Sequence, residues 1–306
     1  MAKGFKIGLA LGGGAARAFS HIGVLAGLEK HGITVDIVTG TSMGAIIGAM
    51  FATHTDVTAV RERFNAYLAS EEFADSGFNF FKELDSHDTG VLAEVGRLAR
   101  RGVMNTLMIT QTAMVNEKTA AESYAYLLDD LDVQQTRIPF AAIALDLKSG
   151  ESLMLDHGRL REVIAASCAM PGVLRPVELD GRLLVDGGWS ETVPITAARR
   201  LGADFVIAVD VGDELIGFDE PRNALDIIAR ADALARRALN IEQLKTADIV
   251  LSPHNGVTHW ADFSTSEQAI ERGEEEVERR IAEVQLAIKK AQATHWLDWK
   301  RWFQGK

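Results

Sequence analysis

Three short glycine-bearing segments hold the residues whose types and spacing could do chemistry. Gly40-Thr41-Ser42-Met43-Gly44 fits G-x-S-x-G, where a serine occupies a strained strand-to-helix turn that only small neighbours allow and is presented as a nucleophile. Val38-Thr39 before it suits a strand, and Ala45-Ile46-Ile47 after it suits a buried helix. An ordinary glycine turn with a capping serine would satisfy the same pattern. Gly12-Gly13-Gly14-Ala15-Ala16-Arg17 closes the apolar run Lys6 to Leu11. Consecutive glycines between a strand and a helix expose backbone N–H groups that can face an anion, either a cofactor phosphate or the oxyanion of a tetrahedral ester intermediate. A dinucleotide loop would need glycine where Arg17 stands, and its acid would close the second strand, whereas Asp36 precedes it. A P-loop would need Gly-Lys-Ser/Thr, which is missing. Asp186-Gly187-Gly188 ends the run Leu183-Leu184-Val185. Alone, Asp186 reads as a turn residue; beside an activated serine it is a candidate base.

The elements that must position these residues follow from periodicity. Lys6 to Leu11 reads as a buried strand, and Ala18, Ile22, Leu25 and Leu28 recur at helical spacing up to Lys30. Ile37 to Thr39 followed by Ala45 to Ala52 repeats the strand, turn and helix. Further strands are expected at Phe140 to Leu145, Phe205 to Val209 and Ile249 to Leu251, and Asp180-Gly181 signals a hairpin before Leu183. Helical patterns lie at Arg159 to Ser167, Thr196 to Leu201 and Ala224 to Leu244. Such alternation predicts a three-layer α/β sandwich with a mainly parallel central sheet. Residues 71–136 lack a strand pattern and read as an inserted helical cap. Ser264 and Glu267 have the spacing of a capping box opening a long polar helix with a Trp-rich end. The expected organisation is a catalytic domain over 1–256, with the cap at 71–136, and a C-terminal helical extension over 257–306.

The 306 residues are 47% apolar and 25% charged, which excludes disordered, collagen-like and coiled-coil chains. Lys plus Arg number 32 against 43 Asp plus Glu, a net charge of -11 that repels nucleic acid and anionic membranes, so any lipid contact must be local. One cysteine, Cys168, excludes an internal disulfide framework and a cysteine zinc cluster. The sequence shows neither a signal peptide nor a membrane span, so a cytoplasmic protein is expected, with peripheral contact at the inner membrane face if the tail binds lipid.

Together, Gly12-Gly13-Gly14-Ala15-Ala16-Arg17 with Ser20-His21-Ile22-Gly23-Val24-Leu25, Gly40-Thr41-Ser42-Met43-Gly44, Ala166-Ser167-Cys168-Ala169-Met170-Pro171-Gly172 and Asp186-Gly187-Gly188 resemble the bacterial patatin-like phospholipases related to neuropathy target esterase. The resemblance runs from about Gly8 to Asp210. It implies a serine lipid acyl hydrolase that cleaves carboxylic esters of phospholipids or lysophospholipids through an acyl-enzyme, without metal or organic cofactor. It implies a Ser/Asp dyad with Ser42 as nucleophile and Asp186 as base, and an oxyanion hole at Gly12, Gly13 and Gly14. Arg17 belongs to that loop, bracing it or meeting a phosphate head group. Some family members have glycine where this chain has Ala15 and Ala18.

Other residues compete for these roles. His254 and His259 follow Asp186 and would give the chain order Ser, Asp, His of an α/β-hydrolase triad. Asp146 and Asp210 end apolar strands and read as structural hydrogen-bonders; Cys168 and His21 read as buried packing residues. Two segments could touch lipid: the basic, Met-bearing stretch 97–118 with Arg97, Arg100, Arg101, Met104, Met108 and Met114, and the tail face of Trp296, Trp299 and Phe303 with Trp302 beside it. The first also reads as a core-packing cap helix, and the second as a terminal helix docked on its own domain or on a dimer partner. An acyltransferase using the same dyad, or a catalytically weak regulatory protein, are the alternative functions, and the sequence leaves the oligomeric state open.

Overall fold

In a computed structural model the chain is described over residues 4–74, 113–212, 220–221, 223–254 and 260–304, with side chains described as far as residue 297. Eight strands make one sheet: β1 (Ile7–Leu11), β2 (Ile37–Thr41), β3 (Phe140–Asp146), β4 (Ser152–Leu155), β5 (Val177–Leu179), β6 (Arg182–Asp186), β7 (Phe205–Val209) and β8 (Ile249–Leu251). Their order is β5-β6-β3-β2-β1-β7-β8, with β4 paired to β3 outside that path. The pairs β1–β2, β1–β7, β2–β3 and β7–β8 are parallel, while β3–β4, β3–β6 and β5–β6 are antiparallel.

β1 and β7 are buried along their whole length because helices cover both faces of the sheet, and continuous apolar runs such as Phe205–Val209 are the composition that such a position requires. Leu9, Leu11, Ile207 and Val209 face the larger core with α1 (Ser20–Lys30) and α2 (Met43–His54). Ala10, Val206 and Ala208 face the opposite way, toward Ile195 and Ala198 of the helix Ile195–Arg200. The alternation along each strand thus produces the three layers.

Asp180 and Gly181, with φ of 50° and 75°, join β5 to β6 in the turn their sequence signals. β2 extends two residues beyond the Ile37–Thr39 expected from sequence, through Gly40 to Thr41. β4 and β5 are short and only partly buried, which is why they carry little sequence signal.

Between α2 and β3 the described residues form the helices Val57–Leu68, Glu71–Ala74 and Glu117–Leu127 and a turn of 3-10 helix at Val133–Gln135, with no strand among them. Arg97, Arg100, Arg101, Met104 and Met108 of the expected basic patch lie outside the described residues. At its other end Met114 packs beside Val173 and Ala261, and Lys118 pairs with Glu122 at 3.5 Å.

The C-terminal helix Ser266–Gln304 lies against α1 along glycines. A Cβ at Gly23 would collide with the Ile270 carbonyl, and one at Gly273 with the Ser20 carbonyl, so the two backbones touch directly. Ile270, Val277 and Val284 are buried there, which docks this part of the extension on its own sheet layer. The expected capping box does not open the helix. Asp262 accepts from Ser264 N at 3.1 Å and caps a preceding 3-10 turn, while Glu267 turns away to Arg61 and to Asn65 Nδ2 at 2.9 Å, a tertiary contact that outcompetes the local one. Trp296 is 51% exposed; the side chains of Trp299, Trp302 and Phe303 lie outside the described residues. No helix among the described residues is long and apolar enough to cross a membrane.

Candidate active site

The sheet brings Ser42 and Asp186 together through a shared edge. β4 holds one edge of β3 over Ala142–Leu145, so β2 and β6 must use the other, β2 as far as Thr41 opposite Ile143 and β6 from Asp186 opposite Ala144. The carboxyl ends of β2 and β6 therefore meet there. Ser42 follows Thr41 with φ 56° and ψ -127°, a conformation that non-glycine residues rarely adopt, before α2 starts at Met43. Both flanking glycines are sterically required. A Cβ at Gly40 would collide with Ala45 of α2, and one at Gly44 with the carbonyls of Leu11 and Gly12.

The helix Leu160–Ser167 and the residues after it hold the pair in place. Ser167, fully buried, accepts from Ser42 N at 3.1 Å, and Ala169 O accepts from Asp186 N at 3.0 Å. Gly187 allows the chain to pass against the Ile143 carbonyl, where a Cβ would collide. Gly188 N then donates to Asp186 Oδ1 at 2.8 Å. Asp186 is 3% exposed, and burial pushes its pKa up to about 6, against the opposing pull of the facing Ser42 hydroxyl and the Gly188 amide. Among the described groups that act on this carboxylate there is no histidine. Cys168 is buried in the same wall, and burial holds its thiol far above the ordinary value, hence neutral.

The glycine loop runs beside the elbow, but its amides divide in two. Gly12 N donates to Val209 O and Gly13 N to Thr192 O, both at 3.0 Å, so these amides are already used in holding the loop to β7 and to the segment after Asp186. Gly14 N has no acceptor among the described residues, and neither does Met43 N at the start of α2. A Cβ at Gly14 would lie 2.5 Å from Val211 Cγ2, whereas one at Gly13 would make ordinary contact with Ser42 Cβ at 3.4 Å. Arg17 lies in the 3-10 turn Ala15–Phe19; burial lowers its pKa to about 10 against the attraction of Asp210.

An apolar pocket opens over Ser42. Phe19, Ile46 and Phe64 form part of its wall, the helix Glu117–Leu127 adds Tyr124 and Leu127, and Trp260 and Phe263 close another side. No histidine is among its described lining residues. His254 is exposed after β8, and His259 lies outside the described residues. Asp146 serves the β3–β4 turn, accepting from Ser149 Oγ at 2.8 Å and Lys148 N at 3.1 Å. Asp210 accepts from Arg237 Nη1 at 2.9 Å and Asn240 Nδ2 at 3.2 Å. Both are structural. Among the described residues no three His, Cys, Asp or Glu side chains gather where they could hold a metal ion.

A sequence-family model for patatin-like phospholipases matches residues 9–199, which contain the glycine loop, the elbow and Asp186. The chain belongs to the patatin-like phospholipase family. Over 213 residues it is 32% identical to human patatin-like phospholipase domain-containing protein 6, an alignment covering 69% of this chain and 14% of that protein. It is 28% identical over 218 residues to an uncharacterized NTE family protein of Mycobacterium tuberculosis, covering 69% of this chain and 51% of the relative. It is 28% identical over 207 residues to lysophospholipase NTE1 of Meyerozyma guilliermondii, covering 67% of this chain and 12% of that protein. The chain thus matches about half the length of its mycobacterial relative and a smaller part of the others.

In this patatin-like chain two contributors were not assigned a site role from sequence. His21 Nε2 lies 2.7 Å from Gly12 O, and burial pushes the ring's pKa down to about 4, so a neutral imidazole donates to the carbonyl and fixes the turn of the glycine loop. Ser167 holds the elbow from behind. The motif Ala166 to Gly172 marked the segment, but nothing in a sequence shows that a serine there points at Ser42 N.

Proposed function

We propose that the protein is a serine lipid acyl hydrolase acting through Ser42 and Asp186. The observation that carries this reading is a serine held at a strained elbow, which lines an apolar pocket and faces a buried carboxylate. A carboxylate of ordinary pKa is a poor base for a serine hydroxyl; raised to about 6, Asp186 is better matched to the transfer and is still ionised at neutral pH. Ser42 Oγ attacks the ester carbonyl as its proton passes to Asp186. The tetrahedral oxyanion is met by the amides of Gly14 and Met43, the latter at the positive end of α2. Collapse expels the alcohol, which takes the proton from Asp186, and leaves the acyl group on Ser42. Water then repeats the sequence, giving its proton to Asp186 and releasing the carboxylic acid with Ser42 restored.

The apolar lining of the pocket suits an acyl chain, whose transfer from water is favourable by about 0.8 kcal/mol per buried CH₂. Carboxylic esters of phospholipids and lysophospholipids have such a chain, and the lysophospholipase relative supports that class. The test is hydrolysis of a lysophospholipid and of a short soluble ester, with intact-mass detection of a fluorophosphonate adduct. Turnover of both, with an adduct that Ser42→Ala abolishes, supports the reading. A folded wild type that neither turns over nor labels contradicts it and favours a regulatory protein.

A further inference from the structure

The helix Ala224–Leu244 has its polarity reversed relative to an ordinary surface helix. Its inner face is polar: Arg237 and the buried Asn240 bond Asp210, Arg236 stacks on Trp189 at 4.5 Å, and Gln243 Nε2 donates to Ser190 O at 2.8 Å. Its outer face is apolar. Ile227, Leu234 and Ile241 are 45–55% exposed, with Ile228 more exposed still beside them; Ala231 and Ala238 lie exposed between them and Ala224 ahead of them. Ile228 aside, these six residues follow one another at intervals of three and four, the heptad seam of a paired helix, and no charged residue interrupts them.

We infer that this face is a dimer interface which takes the same helix of a second copy of the chain, antiparallel about a two-fold axis. The seam is self-complementary in that direction. Turned end for end about the midpoint between Ala231 and Leu234, it sets Ala224 against Ile241, Ile227 against Ala238 and Ala231 against Leu234, so every layer joins one alanine to one branched side chain. A parallel pair would instead stack alanine on alanine and leave voids. Two copies would withdraw on the order of 1,000 Å² from water, where specific interfaces begin. Charge favours protein over lipid as the partner. An interfacial membrane helix presents basic residues on its polar face, but here Arg236 and Arg237 turn inward to Trp189 and Asp210, in a chain of net charge -11. Because that inner face holds the segment just after Asp186, dimerisation would also clamp the chain beside the active site.

The experiment is light scattering and sedimentation equilibrium on the full-length wild type, Leu234→Glu, Ala231→Lys and the double variant. Leu234 and Ala231 do not belong to the core, so the single variants fold, which circular dichroism and turnover of a soluble ester verify. Wild type is expected to be dimeric at about 10 µM, and each single variant to dissociate at least about 100-fold more readily. The double variant is expected to recover the dimer, since the lysine introduced in each copy would meet the glutamate introduced in the other, twice about the axis. A wild type that is monomeric at about 100 µM, or a Leu234→Glu variant that stays dimeric, overturns the interface. A double variant that remains monomeric overturns the antiparallel pairing. A monomeric wild type that co-floats with phosphatidylcholine vesicles, and loses this on Leu234→Glu, assigns the face to lipid instead.

Discussion

Thr41 and Asp186 stand opposite consecutive residues of one strand, Ile143 and Ala144, on the same edge of β3. A parallel strand ends where an antiparallel strand takes over, and that exchange places the residue after Thr41 before the Asp186 carboxylate. Burial then sets the carboxylate's proton affinity. In this arrangement a hydroxyl and a carboxylate face each other, and among the described residues no imidazole acts on the carboxylate.

The first consequence is a pH dependence. Asp186 must be ionised to accept the Ser42 proton, so kcat/KM for a soluble ester should fall about tenfold per pH unit below about 6. Stability should run the other way. The carboxyl titrates near 3.8 in the unfolded chain and at about 6 in the folded one, so the folded form holds its proton more tightly and loses stability as pH rises through that interval, by on the order of 3 kcal/mol in full. Asp186→Asn carries no charge, so its urea midpoint should gain on wild type between pH 5 and pH 8.

Glycine substitutions should separate loop geometry from mere proximity. Gly14→Ala drives a Cβ against Val211 and displaces the amide assigned to the oxyanion, so kcat should drop on the order of 10²-fold. Gly13→Ala meets only ordinary contacts and should stay close to wild type. Equal effects of the two on kcat, with KM and folding unchanged, would move the oxyanion site elsewhere.

His21 should act through the loop and not through its charge. His21→Ala leaves the Gly12 carbonyl buried without its donor, which should cost about 1–3 kcal/mol in urea unfolding, beyond any cavity effect, and lower kcat with little change in KM. His21→Gln keeps a donor and should recover part of both.

The C-terminal helix should prove integral to the fold. Gly273→Ala puts a methyl group into the Ser20 carbonyl across a direct backbone contact and should destabilise the protein by about 2 kcal/mol or more, measured by thermal and urea unfolding. Deletions after residue 297 should have far less effect on stability.

The reach of the sequence can be judged from these same residues. The elbow was legible because its chemistry is written in five consecutive residues; at Gly40 the crowding is local, from Ala45, whereas at Gly44 it comes from Leu11 and Gly12 at the end of the neighbouring strand. Asp186 was legible as a strand-end acid with Gly187 supplying close approach. The division of the loop amides was not, because the acceptors, Thr192 and Val209, lie far along the chain and reach the loop only through sheet pairing. His21 was readable as buried, but not as the donor to Gly12. The period of Ala224–Leu244 was plain, yet period cannot tell which face turns inward, and here it is the polar one that does. At Ser264 and Glu267 a local capping pattern lost to a tertiary partner, Arg61.

The most direct test of the dyad is the rate of fluorophosphonate modification, followed by intact mass and peptide mapping, in wild type, Asp186→Asn, His254→Ala and His259→Ala. A single adduct on Ser42 is expected, formed at wild-type rates in both histidine variants and slowed by on the order of 10³-fold in Asp186→Asn. A folded histidine variant that loses labelling, or an Asp186→Asn variant that labels as fast as wild type, would contradict the Ser42–Asp186 account.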